Sequence, residues 1–407
     1  MKSITLFFLL IFVFTISFSQ DKVSALQNLQ VDVVYLSSDL LQGRETGSKG
    51  EELAANYIAS RFSKLGLKPV GKEGSWFHSF KFQHNANPHA TTGEERNGKN
   101  VIGWIDNGAP TTVIIGAHYD HLGMGMPGSS LHAGEPAVHN GADDNASGVA
   151  SLLYLAEYLK NSKAKNNNYL FLAFSGEELG LYGSKKFVEN SPIDLKKVNY
   201  MLNMDMVGRL NEEKVLAVNG AGTSPVWKET LEKISAGGIK AKTSDSGIGP
   251  SDHTSFYLQD IPVLHFFTGQ HADYHKPSDD SELVNYDGLY DVSQYIAKLI
   301  ELLDDNGKLV FTKTKDEQQQ AASFKVTLGV MPDYVFDGEG MRIDAVLDDR
   351  PAQKAGLEKG DIVIQLGDVQ VKNIYDYMDG LSKFKKGEKT KVKVKRKEEV
   401  IEREVEF

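Results

Sequence analysis

The sequence YLFLAFSGEE, at residues 169–178, joins a short apolar run to a pair of adjacent acids. Continuous apolar runs between helical patterns are typical of strands buried in the sheet of an α/β protein. The arrangement recurs, since VIIGAH ends at His118, MLNMD ends at Asp205 and VLHFFTG precedes His275. Ligands of open α/β sheets bind beyond the carboxyl ends of strands. These polar residues therefore predict a functional site at one edge of a mostly parallel sheet.

Composition sets broad limits on the class of protein. The chain has 407 residues, 41% of them hydrophobic and 25% charged, which is typical of a globular protein with room for two domains. The formal net charge of −10 argues against nucleic-acid binding. The chain has no cysteine, which excludes disulfides and a lipid-modified cysteine.

The N-terminus has the pattern of an export signal. A largely apolar stretch from Ile4 to Phe18 follows Lys2 and ends in a small-residue step at Ser19. This pattern predicts a signal peptide over residues 1–19 and a periplasmic or secreted protein. The alternative is a retained membrane anchor, but the run is shorter than the ~20 residues that span a bilayer.

Pattern changes along the chain predict its domains. Strands and helices alternate from Val113 to about Leu303, which predicts that a first domain over residues 20–303 is a three-layer α/β/α sandwich with a mixed, mostly parallel central sheet. Residues 304–322 are polar and predict a linker, and residues 323–407 predict a small, β-rich second domain. In that domain we expect strands at Phe324–Val326, Met341–Val346, Ile362–Leu366 and Lys391–Val394, and helices at Ala352–Ala355 and Ile374–Phe384.

The polar residues beyond the strand ends suit two zinc ions. Zinc binds imidazole and carboxylate, and a two-ion centre needs one bridging carboxylate and terminal ligands for each ion. Six residues are candidates, of which five would be ligands: His118, Asp143, Glu177, Glu178, Asp205 and His275. Neighbouring side chains diverge, so one acid of the Glu pair should bind metal and the other should face the attacking water. Spacing alone leaves open which acid does which.

Two further acids are candidates for orienting the histidine ligands. Asp120 lies two residues after His118, and Asp279 lies four residues after His275. A metal-bound imidazole usually donates its other N–H to such a partner. Taken singly, each of these residues more often has a structural role, and the hypothesis depends on the whole set.

The motifs resemble those of the co-catalytic zinc aminopeptidases of metallopeptidase family twenty-eight. The resemblance covers about residues 40–303. It rests on GRETGS at 43–48, GAHYD at 116–120, NGADDNASG at 140–148, SGEELGLYGS at 175–184, NMDM at 203–206, SDH at 251–253 and YH at 274–275. One departure is Pro250, where some members carry arginine, so their side-chain preference cannot be transferred.

The resemblance implies a role for each residue. Asp143 would bridge two zinc ions, with His118 and Asp205 completing one ion and Glu178 and His275 completing the other. Glu177 would be the general base. Asp120 would be the acid behind the first histidine, Tyr274 would stabilise the oxyanion, and Phe267 would line the side-chain pocket.

The C-terminal domain resembles a PDZ domain of the kind attached to exported bacterial proteases. The segment Leu328-Gly329-Val330 is similar to the loop whose amides hold a peptide C-terminus, while the peptide adds a strand to the sheet. The alternative is that this domain only packs on the catalytic domain.

These observations favour an exported two-zinc aminopeptidase that acts on peptides with a free N-terminus. Two alternatives stay open. One is a carboxypeptidase-like or glutaminyl-cyclase-like enzyme of the same fold. The other is a non-catalytic protein that binds peptides through the PDZ domain, against which the complete ligand set and Glu177 argue.

Overall fold

The structure is a computed structural model. It describes residues 22–84, 94–125, 129–132, 134–314, 326–332, 336, 338–346, 350–397 and 399–407. The signal peptide predicted at residues 1–19 and residues 315–322 of the predicted linker lie outside these ranges. Among the described helices, none has the length and apolar character needed to cross a membrane.

An eight-stranded sheet forms the centre of the first domain, in the order β1-β2-β4-β3-β5-β8-β6-β7. Its strands are β1 Phe77–His84, β2 Glu94–Ile105, β3 Thr111–His118, β4 Asn167–Phe174, β5 Val198–Met204, β6 Val215–Asn219, β7 Lys240–Ser244 and β8 Val263–Phe267. The neighbours β4, β3, β5 and β8 run parallel, whereas β1, β2 and the β6–β8 pair are antiparallel. The predicted mixed sheet is confirmed.

Helices cover both faces of this sheet. They are α1 at residues 22–36, α2 Lys49–Lys64, α3 Gly148–Asn161, α4 Tyr182–Glu189, α5 Trp227–Glu232, α6 His253–Tyr257 and α7 Tyr286–Leu303. Side chains of a strand alternate between faces. Val113 and Ile115 of β3 therefore join one apolar cluster with α3 and α7, while Ile114 joins another with α4 and α6. This alternation produces the predicted three-layer sandwich.

Helix α2 shows how local signals set an element boundary. The Ser48 hydroxyl accepts a hydrogen bond from the amide of Glu51, so it satisfies one free donor of the first turn. Gly66 follows the helix with a φ of +75°, a conformation that glycine adopts without strain. The helix therefore spans Lys49–Lys64, between a serine cap and a glycine that ends it.

The second domain has its own sheet, in the order β14-β13-β11-β10-β9, with β12 paired to β11. Its elements are β9 Val330–Pro332, β10 Met341–Val346, α8 Pro351–Lys354, β11 Ile362–Leu366, β12 Val369–Gln370, α9 Ile374–Ser382, β13 Lys389–Arg396 and β14 Glu399–Glu406. A separate apolar cluster that includes Leu328, Tyr377 and Val394 fills its centre.

Three strands of this domain depart from the predictions, and one of them is the two-residue strand β12, which no prediction covered. The strand predicted at Phe324–Val326 lies outside the described residues except for Val326, which is in no strand, and the first described strand is Val330–Pro332, which was not predicted. Strand β14 was not predicted, because its sequence EVIEREVE is mostly charged. It pairs along the whole of β13, where Lys391 forms an ion pair with Glu402 at 2.6 Å.

Candidate active site

The strand ends bring the candidate residues together. His118 is the last residue of β3, the Glu177–Glu178 pair follows β4, and Asp205 follows β5. Because these three strands are parallel neighbours, their carboxyl ends meet at one edge of the sheet. His275, from the loop after β8, faces the same cavity of about 240 Å³, as do Tyr274, Phe267 and Pro250.

Asp144 stands between the two histidines. Its Oδ1 lies 3.3 Å from Nε2 of His118, and its Oδ2 lies 3.2 Å from Nε2 of His275. The position between the two histidines, expected for Asp143, is therefore held by Asp144. The two acids are adjacent, and the backbone directs only one of them into the cavity.

Asp143 points into the protein instead. Its Oδ1 accepts hydrogen bonds from the amide of Gly208 at 2.6 Å and the hydroxyl of Ser147 at 3.0 Å. Its Oδ2 lies 3.2 Å from Nε2 of His271. These contacts tie the segment before α3 to the loop after β5, so Asp143 supports the site from behind.

The outer partners of the site also differ from the predictions. Oδ2 of Asp279 accepts the amides of Asp143 and Asp144, each at 3.0 Å, so it fixes the backbone of the bridging acid and not the His275 ring. The carboxylate of Asp120 accepts the amide of Glu177 at 3.2 Å and the hydroxyl of Thr46 at 2.9 Å. Asp120 thereby positions the Glu pair.

Backbone carbonyls orient both histidine rings. Nδ1–H of His118 donates to the carbonyl of Asp120 at 3.2 Å, and Nδ1–H of His275 donates to the carbonyl of Ser129 at 2.9 Å. A carbonyl can only accept, so each ring is protonated at Nδ1 and keeps the Nε2 lone pair for a metal.

The spacing of the donor atoms fits two zinc ions. Two ligand atoms bonded to one tetrahedral zinc at ~2.0–2.1 Å lie about 3.3–3.4 Å apart. His118 Nε2 is 3.3 Å from Asp205 Oδ1, and His275 Nε2 is 3.4 Å from Glu178 Oε2. With one oxygen of Asp144 beside each histidine, the groups divide into two sets of three ligands that share this carboxylate.

His121 is a further residue of the site that the sequence analysis did not assign. Its Nδ1–H donates to Oε1 of Glu178 at 2.7 Å, and the ring is fully buried. Nδ1 lies 3.9 Å from Oδ2 of Asp144, so His121, Asp144 and Glu178 also form a grouping of metal-binding type. We interpret its hydrogen bond as fixing Oε1 of Glu178, while Oε2 lies beside His275.

The two adjacent glutamates lie in different electrostatic environments. Burial raises the pKa of Glu177 well above its ordinary value, and repulsion from Asp205 and Glu178 adds to the rise against the attraction of His118. Burial also raises the pKa of Glu178, but the charge of His275 and the hydrogen bond from His121 lower it to about 2. Glu178 thus lies between two imidazole rings, those of His121 and His275, and both glutamates line the cavity.

Arg44 ties together the loops that carry the site. Its buried guanidinium donates to the carbonyls of Tyr119 at 2.7 Å, Asn140 at 2.6 Å and Gly141 at 2.9 Å, and also to that of Leu36. Tyr119 follows the ligand-bearing strand β3, and Gly141 precedes the bridging acid. Arg44 of the GRETGS motif therefore connects the loop after β3 to the loop before α3.

An α/β/α sandwich with imidazole and carboxylate groups gathered at its strand ends defines a metallohydrolase type of site. Residues 100–300 match peptidase family M28, and residues 311–407 match a PDZ domain. The chain therefore combines an M28 peptidase domain with a C-terminal PDZ domain.

Two curated relatives each match less than half of this chain. Aminopeptidase YwaD of Bacillus subtilis is 28% identical over 47% of this chain and 41% of its own length. Leupeptin-inactivating enzyme 1 of Streptomyces exfoliatus is 32% identical over 44% of this chain and 37% of its own length. The chain thus spans less than half the length of either relative.

Solved structures share the fold at low sequence identity. BSAP, a zinc aminopeptidase from Bacillus subtilis, aligns over 70% of this chain and 98% of its own, with a TM-score of 0.54 and 19% identity. Porphyromonas gingivalis glutaminyl cyclase aligns over 69% of this chain and 97% of its own, with a TM-score of 0.54 and 18% identity.

Proposed function

We propose that the chain is an exported two-zinc aminopeptidase that removes N-terminal residues from peptides. The observation that carries the proposal is the arrangement around Asp144, which has one oxygen beside His118 and the other beside His275. Asp205 and Glu178 complete the two ligand sets, and Glu177 lines the same cavity.

Zinc bound by these ligands would lower the pKa of a water molecule and polarise the scissile carbonyl. Glu177 is the general base: it accepts the proton of the attacking water and returns it to the leaving amine. The Asp120 carboxylate holds the amide of Glu177 and so fixes the position of the base. Tyr274, stacked on His275 with ring centroids 3.8 Å apart, lines the cavity and stabilises the oxyanion.

The charge of the cavity favours a substrate with a free N-terminus. Four acids line it, namely Asp144, Glu177, Glu178 and Asp205, against the imidazoles of His118, His265 and His275. Glu177 is the acid outside the proposed ligand set, and its carboxylate can attract the ammonium group of a peptide. Similarity to Aminopeptidase YwaD supports the same choice.

A substrate panel tests the proposal. Purified protein would receive aminoacyl-p-nitroanilides, the same compounds with an acetylated N-terminus, and peptides beginning with glutamine, each with and without a chelator. We expect chelator-sensitive release from the free compounds and at least tenfold slower release from the acetylated ones. Equal rates on free and acetylated compounds would exclude an aminopeptidase.

The same panel separates the alternatives. Conversion of N-terminal glutamine without peptide-bond cleavage would indicate a glutaminyl-cyclase-like enzyme, and release of the C-terminal residue would indicate a carboxypeptidase-like one. Metal analysis belongs with the panel, because we expect about two zinc ions per chain. A protein without zinc and without hydrolysis would be a peptide-binding protein.

Two parts of the proposal concern regions outside the active site. Export rests on the signal-like pattern of residues 1–19, and N-terminal sequencing of protein from the cell envelope tests it by locating the cleavage point. Peptide binding by the PDZ domain rests on Leu328, Gly329 and Val330. Val330 begins β9, which pairs with β10 alone among the described strands and so offers an edge to an added strand.

A further inference from the structure

The cavity of the active site is lined in part by the PDZ domain. Ile374 and Met378 of α9 line the same cavity as His118 and Glu177. Four residues apart on a helix, they lie on one face. Both are partly buried against the core of the PDZ domain, so they lie at the margin between that core and the cavity.

Resting on the proposed aminopeptidase function, we propose that α9 is a wall of the substrate cleft. Ile374 and Met378 are specificity-determining residues that contact the apolar side chain of the substrate's N-terminal region. The PDZ domain is in this way part of the substrate site, in addition to any peptide it holds at β9.

The chemistry of the lining supports an apolar substrate. The peptidase domain contributes Met206, Ile248, Pro250 and Phe267 to the cavity, and α9 adds two more apolar side chains. The lining thus combines the polar groups of the metal site, and others such as Asn219, Ser246 and Gln270, with six apolar side chains. A pocket with this composition uses its polar groups for orientation and its apolar groups for affinity.

The size of the cavity supports a narrow cleft. Its volume of about 240 Å³ is below the ~300–1,000 Å³ typical of small-molecule pockets. With α9 in place, we expect the cleft to accept only the first residues of an unfolded peptide. The substrate class is therefore short or unstructured peptides with an apolar N-terminal residue.

Kinetics on matched variants test whether α9 contributes to the preference for an apolar N-terminal residue. Met378→Ala removes an apolar contact from the cleft, whereas Ile401→Ala removes one that packs against the PDZ core away from the cavity. One lost contact of this kind changes discrimination by about tenfold. We expect Met378→Ala to reduce the ratio of kcat/KM for leucyl over alanyl substrates by about that factor, and Ile401→Ala to leave the ratio within twofold. An unchanged ratio in Met378→Ala would contradict the proposal that Met378 determines substrate preference.

Crosslinking tests the position of α9 without any need for activity. The chain has no cysteine, so introduced thiols are the only ones present. Gln270, on the peptidase side of the cavity, pairs with Met378 in a Gln270→Cys/Met378→Cys variant. A short bis-maleimide should link this pair within one chain, and the Gln270→Cys/Ile401→Cys control should stay unlinked.

The two experiments separate the inference from the function on which it rests. Absence of the intramolecular link would contradict the proposal that α9 lines the substrate cleft, even in a protein that hydrolyses peptides normally. A link in a protein that hydrolyses no peptide would support the position of α9 beside the cavity. It would contradict both the aminopeptidase function and the role of Ile374 and Met378 in substrate preference. A link together with an altered leucyl preference supports the inference in full.

Discussion

The two candidate binding regions of this chain are built from different parts of the polypeptide. At the metal site, function depends on side chains that are buried and held by loops from several strand ends, as with Asp144 and its partners. At the PDZ edge, the groups available to a peptide are the backbone amides and carbonyls of β9. The comparison teaches that replacing one side chain should be severe in the first region and mild in the second, unless it alters the backbone.

The largest effect is expected at the bridging acid, where adjacent residues form a matched pair. Asp144→Asn replaces a charged bridging ligand with a neutral amide, so we expect loss of zinc and of detectable hydrolysis. Asp143→Asn keeps one acceptor oxygen for Gly208 and Ser147, so we expect it to retain zinc with reduced turnover. Zinc content and hydrolysis, measured on both variants, check this order. The reverse order would restore Asp143 as the bridge.

The next effect separates chemistry from metal binding. Glu177→Gln keeps the shape of the side chain but cannot accept a proton, and general-base catalysis contributes about 10²–10⁴-fold. We expect kcat to fall by that factor while zinc content is unchanged. Glu178→Gln is the control, because it weakens a ligand and should lower zinc content as well. Near-normal kcat in Glu177→Gln would remove it as the base.

A smaller effect is expected where the loops of the metal site are held together. Arg44→Met leaves the carbonyls of Leu36, Tyr119 and Asn140 without their donor, whereas that of Gly141 keeps the amide of Ala146. Each unpaired buried acceptor costs about 1–3 kcal/mol. We expect the free energy of unfolding to fall by at least about 3 kcal/mol in denaturant titration. The control is Arg96→Met, which breaks a half-exposed ion pair with Glu45 and should cost less than about 1 kcal/mol. Similar losses in both variants would show that Arg44 has no special structural role.

The parts of the molecule that the sequence predicts follow from local patterns. An apolar run followed by a polar residue predicts each of the strands β3, β4 and β5 and the site residue at its end. This is possible because the hydrophobic pattern of a buried strand is visible within one short segment of sequence. Strand β14 was missed because its charged residues pair across to β13, a contact that only the folded sheet reveals.

The assignments that failed depend on distant contacts. Whether Asp143 or Asp144 enters the cavity is decided by amides held on Asp279, 135 residues after Asp144. His121 lies three residues after His118, and this spacing does not predict its hydrogen bond with Glu178. Adjacent acids do indicate that only one of them binds, but sequence alone cannot say which.

The smallest effect is expected in the PDZ domain, where backbone shape decides binding. Gly329 has a φ of +74°, and an added Cβ would lie 2.1 Å from Cβ of Arg350. Gly329→Ala should therefore shift the loop before β9. We expect it to weaken binding of a peptide with an apolar C-terminal residue about tenfold, with little effect on hydrolysis of aminoacyl-p-nitroanilides. Fluorescence anisotropy with the free-acid peptide and its amidated form measures the change.

Gly387→Ala is the matched control for this prediction. Gly387 also has a positive φ, +86°, but an added Cβ would meet no atom within 4 Å. Both variants carry the strain of a left-handed alanine, about 1–2 kcal/mol, but only Gly329→Ala adds a clash beside the peptide edge. Equal loss of peptide binding in both variants would mean that domain stability, and not the loop, controls binding. Retained binding in Gly329→Ala would place the peptide elsewhere, because a displaced loop cannot present the same amides to a carboxylate.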